Sequence, residues 1–203
     1  MAPKMSDYQK QLRRTDILDA AEEVFTERGY EHTTMKDIYE SVGLSRGGLY
    51  QYFSNKQEVF ETLIGDKLEE IHDRTSAALE EGEDPWNLLK ERLFGEEKQP
   101  REKNDPLAPV ILEFFVTGRN DLSISSFAKE RYRLGVQMYA NIIKKGAETG
   151  RFTPRFAPPV LARSIVAFTD GIAVDTALAG KEVRKKEQSE LIYDTIIHML
   201  KVQ

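Results

Sequence analysis

Thr33-Thr34-Met35-Lys36-Asp37-Ile38-Tyr39-Glu40-Ser41-Val42-Gly43-Leu44-Ser45-Arg46-Gly47-Gly48-Leu49-Tyr50-Gln51-Tyr52-Phe53-Ser54-Asn55-Lys56 reads as two short helices joined by a tight turn. A hydroxyl cap at Thr33 or Thr34 starts the first helix, and Met35, Ile38 and Val42 fall on one of its faces. Gly43 ends it, because glycine enters the left-handed conformation without a side-chain penalty. Leu44 then turns toward the core and Ser45 caps the second helix. This is helix-turn-helix order, a shape that the DNA major groove accepts.

The second helix opens on Arg46-Gly47-Gly48, and two glycines in a helix cost about 1 kcal/mol each relative to alanine. Close approach to nucleic acid accounts for that cost: a bare helix start sits against the sugar-phosphate edge and offers its N–H groups to phosphate oxygens. Arg46 is then expected to read a base, and Tyr50 to meet a base methyl or a phosphate. Thr33, Thr34, Lys36, Tyr52 and Lys56 are expected phosphate contacts, with Ser45, Gly47 and Gly48 forming the helix start itself. Leu49 and Phe53, four apart, hold the helix to its own domain.

Ile17, Ala20, Ala21, Phe25, Gly29, Thr33, Thr34, Ile38, Val42, Gly43, Ser45, Leu49, Tyr50, Tyr52, Phe53 and Lys56 together resemble the pattern of the TetR family of bacterial one-component repressors, densely over residues 14–60. The recognition helix is also similar to a Bacillus regulator subgroup carrying SRGGxYxYF. The resemblance implies about nine helices in two parts, dimerisation through the last two helices, and a small effector bound inside the larger bundle. Repression with ligand-induced release is the family's usual sign.

Two enzymatic motifs compete with this reading. Gly43-Leu44-Ser45-Arg46-Gly47 fits the G-x-S-x-G nucleophile elbow, but that motif needs a buried strand before the serine. Residues 34–42 show helical spacing and carry Lys36, Asp37 and Glu40. Ser126-Phe127-Ala128-Lys129 fits S-x-x-K without the accompanying S-D-N or K-T-G. The alternatives, a serine hydrolase using Ser45 or Ser126 and a helical protein-binding adaptor, both leave the glycine-rich helix start unexplained. No enzymatic activity is expected.

The chain has 203 residues, 40% hydrophobic and 31% charged, with no cysteine and three scattered histidines, so neither disulfides, thiol catalysis nor a metal or other cofactor is expected. No apolar run approaches a membrane span or a signal segment, which points to a cytoplasmic protein. Net charge is -5. Residues 1–56 hold 8 Lys and Arg against 9 Asp and Glu, so the reader of DNA is close to neutral. Lys4, Lys10, Arg13 and Arg14 face Asp7 alone in residues 1–14, a basic arm that either follows a groove or is a solvated terminus.

The fold expected is all-α, with a three-helix DNA-binding head in residues 1–56 and a helical regulatory, ligand-binding and dimerisation domain in residues 57–203. Helical periodicity covers 13–28, then about 56–79, 85–96, 106–119, 122–149, 158–179 and 187–202, with residues 96–105 as a polar mobile loop. Helix 56–79 links the head to the rest and is expected to carry the ligand-driven movement. Large side chains in the later helices are either plain core or an effector pocket: Trp86, Phe94, Phe114, Phe115, Phe127, Tyr132, Met138, Tyr139 and Phe168, with Asp170, Glu113 and Asp175 as candidates to orient a polar or cationic ligand. The last two helices are apolar on more than one face, and Ala162, Ala167, Gly171, Ala173 and Ala177 keep the first of them slim. Ile165, Phe168, Ile172, Leu191, Ile196 and Met199 are therefore expected either in a homodimer interface on a two-fold axis or in a two-helix core. The expected partners are a double-stranded DNA operator, an effector and a second copy of the chain, whose heads enter successive major grooves about 34 Å apart.

Overall fold

A computed structural model describes residues 6–95, 106–179 and 185–203; Lys4, the expected mobile loop at 96–105 and Gly180 lie outside them. Among the described residues the protein is all-α, with nine α-helices, one turn of 3-10 helix and a single isolated antiparallel bridge between Phe152 and Val202.

Helix α1 (Asp7–His32) begins six residues before the periodicity suggested. Ser6 and Gln9 form a capping box, the Ser6 hydroxyl accepting from Gln9 N at 3.2 Å and Gln9 Oε1 from Ser6 N at 2.9 Å. Residues 7–14 of the basic arm are thus helix. Lys10 pairs with Asp7, Arg13 with Asp16 at 3.3 Å, and Arg14 with Asp66 at 3.1 Å on a later helix. Helical geometry breaks at Gly29, where φ is 76°.

Helices α2 (Met35–Ser41) and α3 (Arg46–Tyr50) follow, and then α4 (Lys56–Glu80), capped by Asn55. The head core joins Ile17, Ala21 and Phe25 of α1 to Ile38, Leu49 and Phe53, and takes in Val59, Phe60, Leu63 and Ile64 from the first half of α4. It does not stop there. Helix α6 (Ala108–Thr117), although more than forty residues beyond the head in sequence, inserts Val110, Ile111 and Phe114 into the same cluster. Phe114 meets Tyr30 and Phe60 at centroid distances of 4.6 and 5.0 Å, and Phe25 completes the group 4.7 Å from Phe60. Burying Phe114 fully contributes roughly 1.5–3 kcal/mol, so the head and α6 stabilise each other.

The second core is built from α5 (Pro85–Phe94), α7 (Leu122–Glu148), α8 (Pro158–Ala179) and α9 (Lys185–Leu200). Asp84 caps α5, with Pro85 at the start of the helix. Phe152, 1% exposed, folds back onto α7 so closely that a Cβ on Gly146 would lie 2.1 Å from its ring. No helix among the described residues is long and apolar enough to cross a membrane.

Two residues expected at a dimer interface are not available for one. Ile165 and Ile196 are completely buried within the chain's own second core, because each points at α7 or its neighbours rather than outward. Phe168, Ile172 and Met199 are half-buried, and Leu191 is open to solvent. The outward face of α8 carries Val160, Ala167, Gly171, Val174 and Leu178 instead, apolar and small residues at helical spacing with the exposed Arg163 and Asp170 at their margin. Asp175, considered as a ligand-orienting group, accepts from Gln188 Nε2 at 2.7 Å and ties α8 to α9.

The Gly146 contact is testable. Gly146→Ala should lower the free energy of urea unfolding by about 1–3 kcal/mol at fixed protein concentration, through overpacking against Phe152. Gly135→Ala on the same helix adds its methyl in open space and should equal wild type or exceed it by up to about 1 kcal/mol. Equal stability of the two variants would contradict the packing role of Phe152.

Candidate nucleic-acid interface

The surface around α3 is assembled by local hydrogen bonds that the sequence encodes. Thr34 caps α2, its hydroxyl donating to Asp37 Oδ2 at 2.6 Å and accepting from Asp37 N at 3.2 Å. The Thr34 hydroxyl and the Thr34 N–H, which donates to the same oxygen at 2.9 Å, hold the Asp37 carboxyl below the usual range, with Arg28 at 2.8 Å adding to the effect. Gly43 adopts φ 68°, and the Leu44 N–H returns to Tyr39 O at 2.8 Å, which closes α2 and aims α3 away from it. Ser45 then accepts from Gly48 N at 3.1 Å. Behind the surface Leu49 is fully buried and Phe53 nearly so, anchoring α3 through one side only.

The hydroxyl of Ser45 is thereby a helix cap that follows a helix, not a nucleophile that follows a strand, and the G-x-S-x-G reading has no structural basis. Ser126 stands exposed on α7.

On the open side stand Thr34, Lys36, Ser45, Arg46, Gly47 and Tyr50, all exposed. The Arg46 guanidinium rests 5.5 Å from the Tyr50 ring centre, a cation-π contact that a base edge can replace. Lys36 lies 3.6 Å from Glu40, an exposed pair too weak to hold it against a phosphate. Tyr52 is half-buried against the head core. The two glycines separate. A Cβ on Gly48 would stand 3.3 Å from Leu44 and 3.4 Å from Ser45 Oγ, so the turn itself favours glycine there, whereas a Cβ on Gly47 would meet nothing within 4 Å.

Thr33 is corrected from a phosphate contact to a core residue: it is 1% exposed, and its hydroxyl donates to Gly29 O at 2.7 Å. Lys56 is likewise turned inward. Its Nζ donates to Tyr30 O at 2.7 Å and Glu31 O at 3.2 Å, and lies 4.3 Å from the Tyr30 ring centre. Burial holds this ammonium below its ordinary range, with Glu31 and Glu113 acting the other way. Burial also pushes the Tyr30 phenol up to about 12.

The aromatic residues expected to line one pocket are divided among three places. Phe114 and Phe115 pack with the head-side core, together with Phe127, because α6 faces the head. Glu113 points the same way and accepts the Tyr30 and Glu31 N–H groups at 3.1 and 3.2 Å, which removes it from the ligand-orienting set. Trp86 and Phe94 pack around Tyr193 of α9 at 5.4 and 5.7 Å, and Trp86 shares its core with the buried Met138 and Tyr139. Tyr132 faces outward, under Arg163, in an open cleft of about 400 Å³ between α7 and α8 that Lys129, Arg133 and Val136 also line. Phe168 is half-buried on α8; loss of solvation raises the Asp170 carboxyl above its usual range, with Arg131 opposing.

One polar residue in this region went unread in the sequence. Arg92 continues the buried face of Leu88 and Leu89 on α5, its side chain only 8% exposed. It pairs with Glu91, yet its buried Nε has no acceptor. Beside it burial pushes the Tyr139 phenol up to about 12, with Arg92 pulling it down and Asp170 pushing it further up. An arginine placed where the helical register calls for an apolar residue was the available signal.

Comparison with known proteins agrees with this architecture. Residues 17–63 match the model for bacterial regulatory proteins of the tetR family, and residues 91–187 match a tetracyclin repressor-like C-terminal domain. The chain is 34% identical over 172 residues to the uncharacterized HTH-type transcriptional regulator YfiR of Bacillus subtilis, covering 85% of this chain and 83% of that protein. It is 27% identical over 154 residues to the HTH-type transcriptional repressor KstR2 of Mycolicibacterium smegmatis, covering 76% and 74%. Among solved structures, a regulator from Saccharomonospora viridis in complex with choline superposes with a TM-score of 0.75 at 22% identity, over 96% of this chain and all of that one. The helix-turn-helix head, the helical second core and the match along both place this chain in the TetR family of DNA-binding transcriptional regulators.

Proposed function

We propose that the protein is a cytoplasmic homodimeric repressor that holds a palindromic operator and releases it when a small effector enters the larger helical domain. The observation that carries the DNA reading is Gly47. Its missing side chain relieves no contact within the protein, so the glycine answers to something outside the fold, and the exposed start of α3 beside Arg46 is where a sugar-phosphate edge would lie. Arg46 reads a base and Tyr50 a base methyl or phosphate. Thr34, Lys36, Ser45, Gly48 and Tyr52 meet the backbone, while Lys56 serves chiefly to hold the end of α1. The functional division runs near residue 56, DNA contacts before it and effector and dimer functions after it. The SRGGxYxYF recognition helix and the identity to the Bacillus subtilis regulator support a place among Bacillus regulators of that type. The mycobacterial relative's description as a repressor supports the sign.

The effector would enter between α5, α7 and α8, where Arg92 presents a buried N–H without an acceptor beside the Tyr139 hydroxyl. A ligand supplying a hydrogen-bond acceptor on an apolar body suits that surface. Release follows if the ligand favours the head arrangement that no longer fits both half-sites, by its difference in affinity for the two states. Dimerisation uses the outward stripe of α8 with Leu191 of α9, where Ala167 and Gly171 let two helices approach.

Three substitutions test this reading. Gly47→Ala should leave folding stability unchanged or raise it by up to about 1 kcal/mol, while weakening operator binding about tenfold, or 1.4 kcal/mol; unchanged binding in a gel-shift titration would refute the close-approach role. Arg46→Ala should reduce discrimination between operator and random DNA by roughly 1–3 kcal/mol, and an equal loss on both DNAs would exclude base reading. Gly171→Leu adds bulk where the isolated chain has open space. Sedimentation at micromolar concentration should therefore show a shift from dimer toward monomer with unchanged helicity, and a dimer of wild-type strength would place the interface elsewhere.

A further inference from the structure

Residues 29–31 are held from both sides by side chains of other helices. Gly29 leaves the helical path at φ 76°, which frees the Tyr30 and Glu31 N–H groups from the α1 ladder. Both are taken by one carboxylate: Glu113 Oε2 accepts from Tyr30 at 3.1 Å and Glu113 Oε1 from Glu31 at 3.2 Å. The carbonyls of the same two residues accept from Lys56 Nζ at 2.7 and 3.2 Å, and the Gly29 carbonyl accepts from Thr33 at 2.7 Å. The fit is close, since a Cβ on Gly29 would stand 3.0 Å from Glu113 Oε2. Tyr30, Phe60 and Phe114 pack beside this junction and keep water from one side of it, which strengthens charge-assisted bonds to a carboxylate.

The elements involved have different attachments. Lys56 belongs to α4, the covalent link from head to regulatory half, which packs along α7. Glu113 belongs to α6, which packs against α8, the helix with the outward apolar stripe, as well as against α7 and the 3-10 turn. On the head side, Thr33 is followed directly by Thr34, the cap of α2, so a displacement of the turn is passed to α2 and α3. Apolar packing of Val110, Ile111 and Phe114 holds α6 to the head without a direction of its own, whereas the paired bonds from Glu113 fix the angle.

We propose that Glu113 is a positioning residue that sets the orientation of the DNA-binding head on the regulatory half, and through it the half-site spacing that the dimer accepts. The inference rests on the reading of the chain as a dimeric DNA-binding regulator. It extends that reading by naming the contact through which α6 and α8 govern the heads. Movement of α6 withdraws both acceptor oxygens together and removes the directional part of its hold on the head.

The test uses the full-length protein and an operator selected by wild type from random-sequence duplexes. Binding is measured on that operator and on versions with one base pair inserted between half-sites, which moves them by about 3.4 Å and rotates them by roughly 35°. Wild type should lose about thirtyfold or more on the insertion, whereas Glu113→Ala should lose less than about fivefold, because its heads turn to follow the displaced half-site. Glu113→Gln keeps the side-chain shape with one acceptor oxygen and should fall between them, with faster amide exchange at Tyr30 and Glu31; it also serves if the alanine variant folds poorly. An insertion penalty unchanged in Glu113→Gln despite faster exchange would reduce Glu113 to a structural tie and overturn the proposal. Should wild type select no duplex at all, the DNA-binding reading fails, and the proposal with it.

Discussion

The end of α1 is the junction on which both halves of this protein depend. Breaking the helix at Gly29 leaves backbone groups of Tyr30 and Glu31 to be paired from elsewhere, and at Tyr30, part-buried beside an aromatic core, an unpaired N–H would cost about 1–3 kcal/mol. Glu113 and Lys56 complete them from opposite sides, and in doing so join α6 and α4 to the head. A three-helix unit of some fifty residues buries little apolar surface by itself. Here it borrows Phe60 and Phe114 from elements beyond it, so head and regulatory half are neighbours in one core rather than separate bodies on a hinge.

The same economy of charge marks the DNA-facing side. Several of the head's cations are already engaged: Arg14 with Asp66, Arg28 with Asp37, Lys56 with carbonyls of α1. What remains outward is small, chiefly Arg46 and Lys36 with the uncovered start of α3. Affinity must then come from hydrogen bonds at fixed positions more than from counterion release, and orientation of the two heads becomes decisive. Close steric approach at Gly47 and a fixed head angle belong to the same physical strategy.

The contacts that sequence reading placed well are those made within a few residues. Thr34, Gly43 and Ser45 cap or break helices through bonds to groups three to five positions away, and Leu49 and Phe53 turn inward by helical register alone. Ser6 obeys the same local rule, and its Ser-x-x-Gln box extends α1 through what looked like a basic arm. Thr33 looked identical in kind to Thr34, but its hydroxyl lies behind the turn, a distinction set by the direction of α1. The paired glycines of α3 had one explanation in sequence and have two in space: Gly48 accommodates the turn and Gly47 leaves the surface open.

Local patterning determined by itself that this chain is helical, that it carries a helix-turn-helix, and that its two last helices are apolar on more than one face, because caps, breakers and 3.6-residue periodicity act over a few residues. Only the tertiary structure decided the partners of the later helices. Phe114, Phe115 and Glu113 carry no mark of facing the head rather than a ligand, and Ile165 no mark of facing α7 rather than a second copy. An apolar face requires cover without naming what covers it, since hydrophobic burial has no direction of its own. A carboxylate 83 residues from Tyr30 can meet its N–H only once every intervening helix has packed.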